Sequence, residues 1–302
     1  MIPRIIHQTW KTRELTGEFA AYQASWRRLH PDWEYRFYDD ADCRRLVAEG
    51  FPELLALYEA LPRAVLRADL FRYLAVCRHG GIYADIDMEC RKPHGPLLDR
   101  ADLVLGVEET VSPIEARRLL NPYRTRIANC IFAAAPGHPY LRLAIDEIRQ
   151  VAGRIDELAV VEATGPGLLT RLLHEHAAEF PYRLVPQICW TPPTRPPYPD
   201  LYPFMRHVWA IHHFAGTWKP NYRHIEPVGR VLRNAAAELR QNVREARSVT
   251  EVVQHLAVKI PPSPVWAEDL AFWRRRAGVR TVPLLGAAAG AAGRIGAAQN
   301  QP

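Results

Sequence analysis

What the chain lacks narrows its nature before any motif is read. Its five cysteines (Cys43, Cys77, Cys90, Cys130 and Cys189) are an odd number, widely spaced and without a C-x-x-C pair. That usage predicts reduced thiols and a cytoplasmic setting, and excludes a disulfide framework or a cysteine-built zinc site. No run approaches the ~18 consecutive apolar residues of a membrane span. Met1–Trp10 lacks a basic start followed by an apolar core, so no secretory signal is expected. Lysine is scarce: Lys11, Lys92, Lys219 and Lys259 are the four lysines among 39 basic residues. With 48% hydrophobic and 24% charged residues, the 302-residue chain is globular in composition. Wholesale disorder, collagen and coiled coil are excluded. The length suits one large domain, or one domain with an appendage.

The net charge of +6 is concentrated at one end. Residues 228–302 hold eleven basic and five acidic residues, so the first 227 are balanced, 28 against 28. A basic segment could contact an anionic membrane face, or be a solvated helix whose arginine stems lie on apolar neighbours. It lacks the interleaved aromatics and base-reading motifs of a nucleic-acid module, so no nucleic-acid partner is expected.

Along the chain, apolar runs alternate with helical periodicity, which predicts an α/β layered domain. Strands are expected at Pro3–Thr9, Trp33–Tyr38, Ile82–Met88, Leu103–Val107, Cys130–Ala134 and Val208–His212. A helix capped by Thr16 should carry Phe19, Tyr22, Trp26 and Leu29 on one face. Another, capped by Asp40, should run through Glu49, with further helices over Pro52–Arg78, His138–Ala152 and Gly167–Ala178. Gly80 and Gly81 mark a helix stop and a tight turn into the next strand. Seven prolines in Pro186–Pro203 predict a stiff loop. Three regions are expected: a main domain over 1–227, a basic helical extension over 228–284 with a separate helix at 228–247, and a frayed Ala/Gly-rich tail over 285–302.

The chemistry concentrates in Arg67–Glu89. Asp85 and Asp87, two apart on an expected strand, would project from the same face and repel unless a cation lies between them. Hard oxygen donors favour Mn²⁺ or Mg²⁺ over zinc. A lone D-x-D is weak, since such acids are commonly a strand end in water. Here they close an apolar run, Ile82, Tyr83, Ala84 and Ile86, which places them beyond the carboxyl end of a strand, where open α/β sheets bind ligands. In the helix before, Asp69 and Arg72 share a face: either a surface ion pair or a polar pair aimed at sugar hydroxyls. Far downstream, His213 could offer a neutral nitrogen to a metal, Gly216 lets backbone approach a phosphate, and Lys219 could neutralise one. An ordinary loop histidine and a solvated lysine are the alternative.

These residues resemble a known family. Ile2–Trp10 is similar to the opening strand of the D-x-D sugar transferases of glycosyltransferase family 32. Asp69-x-x-Arg72 followed by Gly80-Gly81-x-Tyr83-x-Asp85-x-Asp87 resembles that family's central signature. Asn129, in Ala128–Phe132, resembles an asparagine near the sugar, and Thr164-Gly165-Pro166 a helix-opening motif. His213-x-x-Gly216-x-x-Lys219-Pro220 is similar to the pattern of glycogenin-like retaining transferases, while family 32 stresses the histidine and the later Trp218. The resemblance spans about residues 2–219.

The resemblance implies a GT-A, Rossmann-like fold with a mostly parallel sheet. It also implies a metal-dependent, retaining transfer of a hexose from a nucleoside diphosphate sugar. UDP is favoured over GDP-mannose on the likeness to toxin glucosyltransferases, and the acceptor, a glycan, lipid, small molecule or protein, is unread. Asp87 and His213, with Asp85, would hold Mn²⁺, Mg²⁺ being the alternative. Asp69, Arg72 and Asn129 would position the sugar. Tyr83, Gly216, Trp218 and Lys219 would contact the donor, and Trp10 would stack on the base. Two rivals stand beside this. A haloacid-dehalogenase-type D-x-D phosphatase or phosphomutase normally continues into a Gly-Thr or Thr-Val turn, where this chain has Met88-Glu89-Cys90. A non-enzymatic binding protein on a transferase scaffold would have no use for both aspartates and His213.

Overall fold

The computed structural model describes residues 1–110, 112–118, 123, 125–154, 160–192, 207–216, 240–241 and 243–259. The sheet grows outward from the first strand, β1 (Ile5–Thr9), whose residues Ile6, His7 and Gln8 are buried. After α1 (Glu18–Leu29), β2 (Glu34–Tyr38) returns parallel to β1. Helices α2 (Asp40–Gly50), α3 (Leu55–Ala60) and α4 (Ala64–His79) then cross over to β3 (Gly81–Ala84), which lies parallel on the other side of β1. Such right-handed crossovers need a covering helix, and α4 supplies it.

Beyond β3 come β4 (Met88–Cys90), α5 (Gly95–Leu98), β5 (Leu103–Thr110), α6 (Pro113–Arg118) and β6 (Thr125–Ala134). They are followed by α7 (Pro139–Val151), α8 (Val160–Ala163), α9 (Pro166–His176) and β7 (Arg183–Val185). Last are α10 (Gln187–Trp190), β8 (Ala210–His212) and α11 (Val249–Lys259). The main sheet has the order β2-β1-β3-β6-β5-β7, and β6 alone runs against the other five. This is the mostly parallel α/β sheet that the resemblance implied. β4 and β8 form a separate antiparallel pair.

Two apolar clusters sandwich the sheet. Leu70, Phe71 and Leu74 of α4, Leu141 and Ile148 of α7 and Leu169 and Leu173 of α9 cover one face. Trp26, Met88, Trp190 and Trp209 lead the smaller cluster on the other. All five cysteines are buried and free, in keeping with reduced thiols. Among the described residues no helix is long and apolar enough to cross a membrane.

Several local expectations need correction. Thr16 does not cap α1, because Gly17 occupies that position with no side-chain bond. The cap of α2 is Asp39, one residue before Asp40, and it exchanges bonds with Asp42 in a capping box. The strand expected over Ile82–Met88 is broken: β3 ends at Ala84, and Met88 N–H donates to Asp85 O at 3.0 Å, closing a turn before β4. The proline-rich loop contains one helical turn, α10, directly after Pro186; a proline is compatible with a helix start but not its interior. Residues 193–206, most of 217–242 and the whole tail from 260 lie outside the described residues. So do most of the expected helix at 228–247 and the boundary at 284.

Candidate active site

The site is assembled at the carboxyl edge of β1 and β3, where parallel strands and their following loops converge. Two glycines set the approach. Gly80 ends α4 with φ +66°, and Gly81 follows at φ +106°. A Cβ on Gly81 would lie 2.5 Å from Ile5 O, so only glycine lets β3 seat against β1 here.

Asp85 leaves β3 with its N–H bonded to Cys130 O and its carbonyl accepting from the Gln8 amide at 3.1 Å. Tyr35 O–H in turn holds Gln8 Oε1 at 2.7 Å. The Asp85 carboxylate accepts from Tyr83 O–H at 2.7 Å and pairs with Arg72 at 3.2 Å. Burial raises its pKa, Arg72 opposes that, and Asp87 adds to it. The Arg72 guanidinium lies 4.9 Å from the Tyr83 ring centroid and donates to Asn129 O at 2.7 Å. Tyr83 is 1% exposed, so it supports Asp85 and does not face a donor, contrary to the expected donor contact.

Asp69 is 3% exposed and fully engaged by the chain. Asn129 Nδ2 donates to its Oδ1 at 2.9 Å, Thr164 Oγ1 to its Oδ2 at 2.7 Å, and Arg72 pairs with it at 3.1 Å. Burial raises its pKa against all three partners. The direct grip on sugar hydroxyls implied by the resemblance would have to displace one of them. Asn129 likewise faces Asp69, and its carbonyl faces Arg72.

Asp87 sits on the far side of the turn. Its Oδ1 lies 3.4 Å from His212 Nε2, and its Oδ2 accepts from Ala215 N–H at 2.8 Å. Burial works to raise its pKa, but His212 together with the backbone N–H groups of Ala215 and Asp87 itself holds it below the usual value. For His212, burial disfavours charge, yet Cys130 and Asp87 raise it well above an ordinary imidazole. One ligand atom each from Asp85, Asp87 and His212 lie within 4.8 Å of one another.

The histidine expected in this role was His213. Neighbouring residues leaving a strand point to opposite sides, and here the nearer one faces the aspartates. His213 instead stacks on Tyr22 at 4.2 Å, with Nε2 3.2 Å from Glu89. Its backbone N–H still holds Asp87 O at 3.0 Å. Gly216 has a left-handed backbone, with φ +53°. Trp218 and Lys219 lie outside the described residues. Trp10 is half-buried at the end of β1, its ring 4.9 Å from Phe19 and Lys11 Nζ 5.4 Å above it. Gln8, Tyr35 and Thr164 carried no sequence signal of their own beyond Thr164's motif; contacts across the sheet bring them in.

Two carboxylates and an imidazole suit a hard to borderline divalent cation such as Mn²⁺ or Mg²⁺. A second buried grouping, His30, Cys90 and His94, does not. His30 Nδ1 donates to Trp26 O at 2.9 Å and its Nε2 accepts from His94 N–H at 2.8 Å, so neither nitrogen is left for a metal.

Residues 16–104, which contain Asp69, Arg72, Asp85 and Asp87, match the family described as glycosyltransferase sugar-binding region containing DXD motif. Inositol phosphoceramide mannosyltransferase 3 of Schizosaccharomyces pombe is 34% identical over 171 residues, 56% of this chain and 44% of that protein. The initiation-specific alpha-1,6-mannosyltransferase of Candida albicans is 28% identical over 203 residues, 58% of this chain and 53% of that one. The chain thus spans about half the length of the curated relatives it matches. Among solved structures, the PaToxG glycosyltransferase is 19% identical with a TM-score of 0.44, covering 58% of this chain and 70% of that one, too slight a likeness to carry an argument. Over residues 16–104 the chain is thus similar to the glycosyltransferase sugar-binding regions that contain a D-x-D motif, and Asp85-Ile86-Asp87 is the D-x-D within that match.

Proposed function

We propose that the protein is a metal-dependent retaining glycosyltransferase that moves a hexose from a nucleoside diphosphate sugar to an acceptor hydroxyl. The observation that carries this is the convergence of Asp85, Asp87 and His212 at the carboxyl edge of the sheet. These three residues would hold the divalent cation. Such an ion supplies charge stabilisation to a departing diphosphate.

The chain's own residues do the rest by position. Tyr83 and Arg72 fix one face of the Asp85 carboxylate, and Ala215 N–H and His212 fix Asp87, so little reorganisation is needed when a donor arrives. Asp69, locked by Asn129 and Thr164, holds Arg72 beside the sugar's path. Ligation needs the neutral form of His212, so the carboxylate of Asp87, which favours its charged form, makes cation binding compete with a proton. Among the described residues none stands out as an enzymic nucleophile. Retention then proceeds by front-face attack: the acceptor oxygen bonds the anomeric carbon as the bond to the diphosphate breaks, and the acceptor's proton leaves with the departing phosphate.

The names of the mannosyltransferase relatives favour mannose as the sugar. The inositol phosphoceramide named in several of them favours a lipid acceptor bearing an inositol phosphate. The basic segment beyond residue 228 would suit such a surface.

The test is a thermal-shift and product-release panel of UDP, GDP and their sugars, with and without Mn²⁺. Ligand binding to the native state raises the melting temperature by mass action. A Mn²⁺-dependent shift and release of the nucleoside diphosphate are expected. Release of inorganic phosphate would favour the phosphatase instead, and no response to any nucleotide would sink both. His212→Ala should abolish the Mn²⁺ dependence, whereas His213→Ala should retain it.

A further inference from the structure

One acid near the site has no task in this scheme. Along β5 the side chains alternate: Leu103, Leu105 and Val107 enter the larger cluster, and Val104 the smaller. Gly106 shares the face of Val104, since a Cβ there would meet the Trp190 ring at 2.7 Å. Glu108 is the next residue on that face. It also stands at an irregularity in the ladder. Val107 pairs with Ile127 and Glu109 with the adjacent Arg126, so Glu108 has no counterpart on β6. Bulges of this kind re-aim side chains and recur beside active sites. Thr191 Oγ1, bonded to Val107 O at 2.8 Å, pins the strand just before it.

Glu108 is half-buried and lies near enough to His212 and Cys130 to interact with both electrostatically. The charged groups around it are His212, Arg126, Glu109 and Asp85, and burial, the largest influence, raises its pKa. Arg126 is committed to Glu162 at 3.1 Å. Among the described residues Glu108 has no ion pair and no side-chain hydrogen bond. Its carboxylate is not among the buried unpartnered atoms, so its acceptor sites, unused by the protein, are open to water or to the hydroxyls of a ligand.

Its position limits which ligand. β3 and β5 both pair with β6, which sets them about 10 Å apart at two strand spacings. β6 lies between the two, so Asp85, which closes β3, and Glu108, towards the end of β5, flank it. Two strand spacings are about the width of one pyranose ring plus its hydrogen bonds. A diphosphate held at Asp85 and Asp87 would leave its hexose to lie over this part of β6, towards Glu108. Resting on the transferase reading, we propose that Glu108 is a specificity-determining residue that accepts hydrogen bonds from hydroxyls of the transferred hexose.

The test separates the sugar from the nucleotide. Glu108→Gln keeps the size of the side chain, and Glu108→Ser guards against a local packing artefact; melting temperatures without ligand report whether each variant folds. Affinity for the free nucleoside diphosphate and for its hexose conjugate is measured in the presence of Mn²⁺. Wild type should bind the conjugate more tightly than the free nucleotide. Both variants should keep nucleotide affinity within about twofold and lose ~10- to 100-fold for the conjugate, the range expected of a charge-assisted hydrogen bond. Conjugate affinity unchanged in either folded variant would overturn the proposal. So would an equal loss for nucleotide and conjugate, which would make Glu108 a general support of the site. If the wild type shows no Mn²⁺-dependent nucleotide binding, the transferase reading itself fails, and that outcome is distinct from both.

Discussion

Lowering the pH should unfold this protein through His7, and the size of the effect follows from its surroundings. His7 is fully buried on β1. A carbonyl can only accept, so its Nε2 carries the proton donated to Gly80 O at 2.8 Å, and Nδ1 accepts from Tyr38 O–H at 3.1 Å. Charging the ring would put a proton where Tyr38 needs a lone pair, inside an apolar layer. Burial is the largest influence on the ring; Gly80 opposes it, Arg36 and His79 add to it, and the folded pKa falls from 6.5 to about 3. The unfolded chain therefore binds one more proton between those values. Stability is fully present above pH 6.5 and is lost as pH falls towards 3, with a slope approaching about 1.4 kcal/mol per pH unit. Between pH 6.5 and 4.5 the loss assigned to His7 is about 2 kcal/mol. Urea unfolding from pH 7 to 4.5 on wild type and His7→Gln isolates it, because the other buried histidines contribute equally to both proteins. The variant should be less stable at pH 7, by about 1 kcal/mol for its imperfect bonds, and distinctly flatter towards acid. Parallel curves would show that His7 titrates alike in folded and unfolded chains, and the reasoning would be wrong.

Other expectations follow from the same geometry. Gly81→Ala should cost about 2 kcal/mol or more in urea unfolding, because its Cβ meets Ile5 O at a positive φ, while Gly17→Ala, with open space around it, should cost about 1. Thr164→Val removes the hydroxyl that holds Asp69 and should lose about 1–3 kcal/mol together with Mn²⁺-dependent turnover, with Thr164→Ser restoring both. Asp39→Ala should lose about 1 kcal/mol through the α2 capping box and leave nucleotide affinity untouched, a change in that affinity refuting the separation.

Much of the site could be read along the chain because its key residues are close in sequence. Asp69-x-x-Arg72 depends on helical spacing, Gly80-Gly81 on a backbone conformation, and Asp85-x-Asp87 on a strand end; each is a local rule. Such local rules fail at the boundaries of elements. The strand expected through Met88 stops at Ala84, because the Asp85–Met88 turn forms once Asp85 N–H bonds β6. The cap of α2 is Asp39, since the residue whose side chain reaches Asp42 N–H is the one before the helix.

Composition and spacing alone thus determined an α/β chain with a pair of acids at a strand's carboxyl end and a polar pair on the helix before it. Tertiary structure decided which distant groups meet them: Thr164 and Asn129 on Asp69, Gln8 under Asp85, and His212 in place of His213 beside Asp87. The physical reason is that side-chain direction flips with every residue of an extended chain. Register between strands far apart in sequence, set by the packing of two apolar layers, chooses which of two adjacent histidines faces the acids.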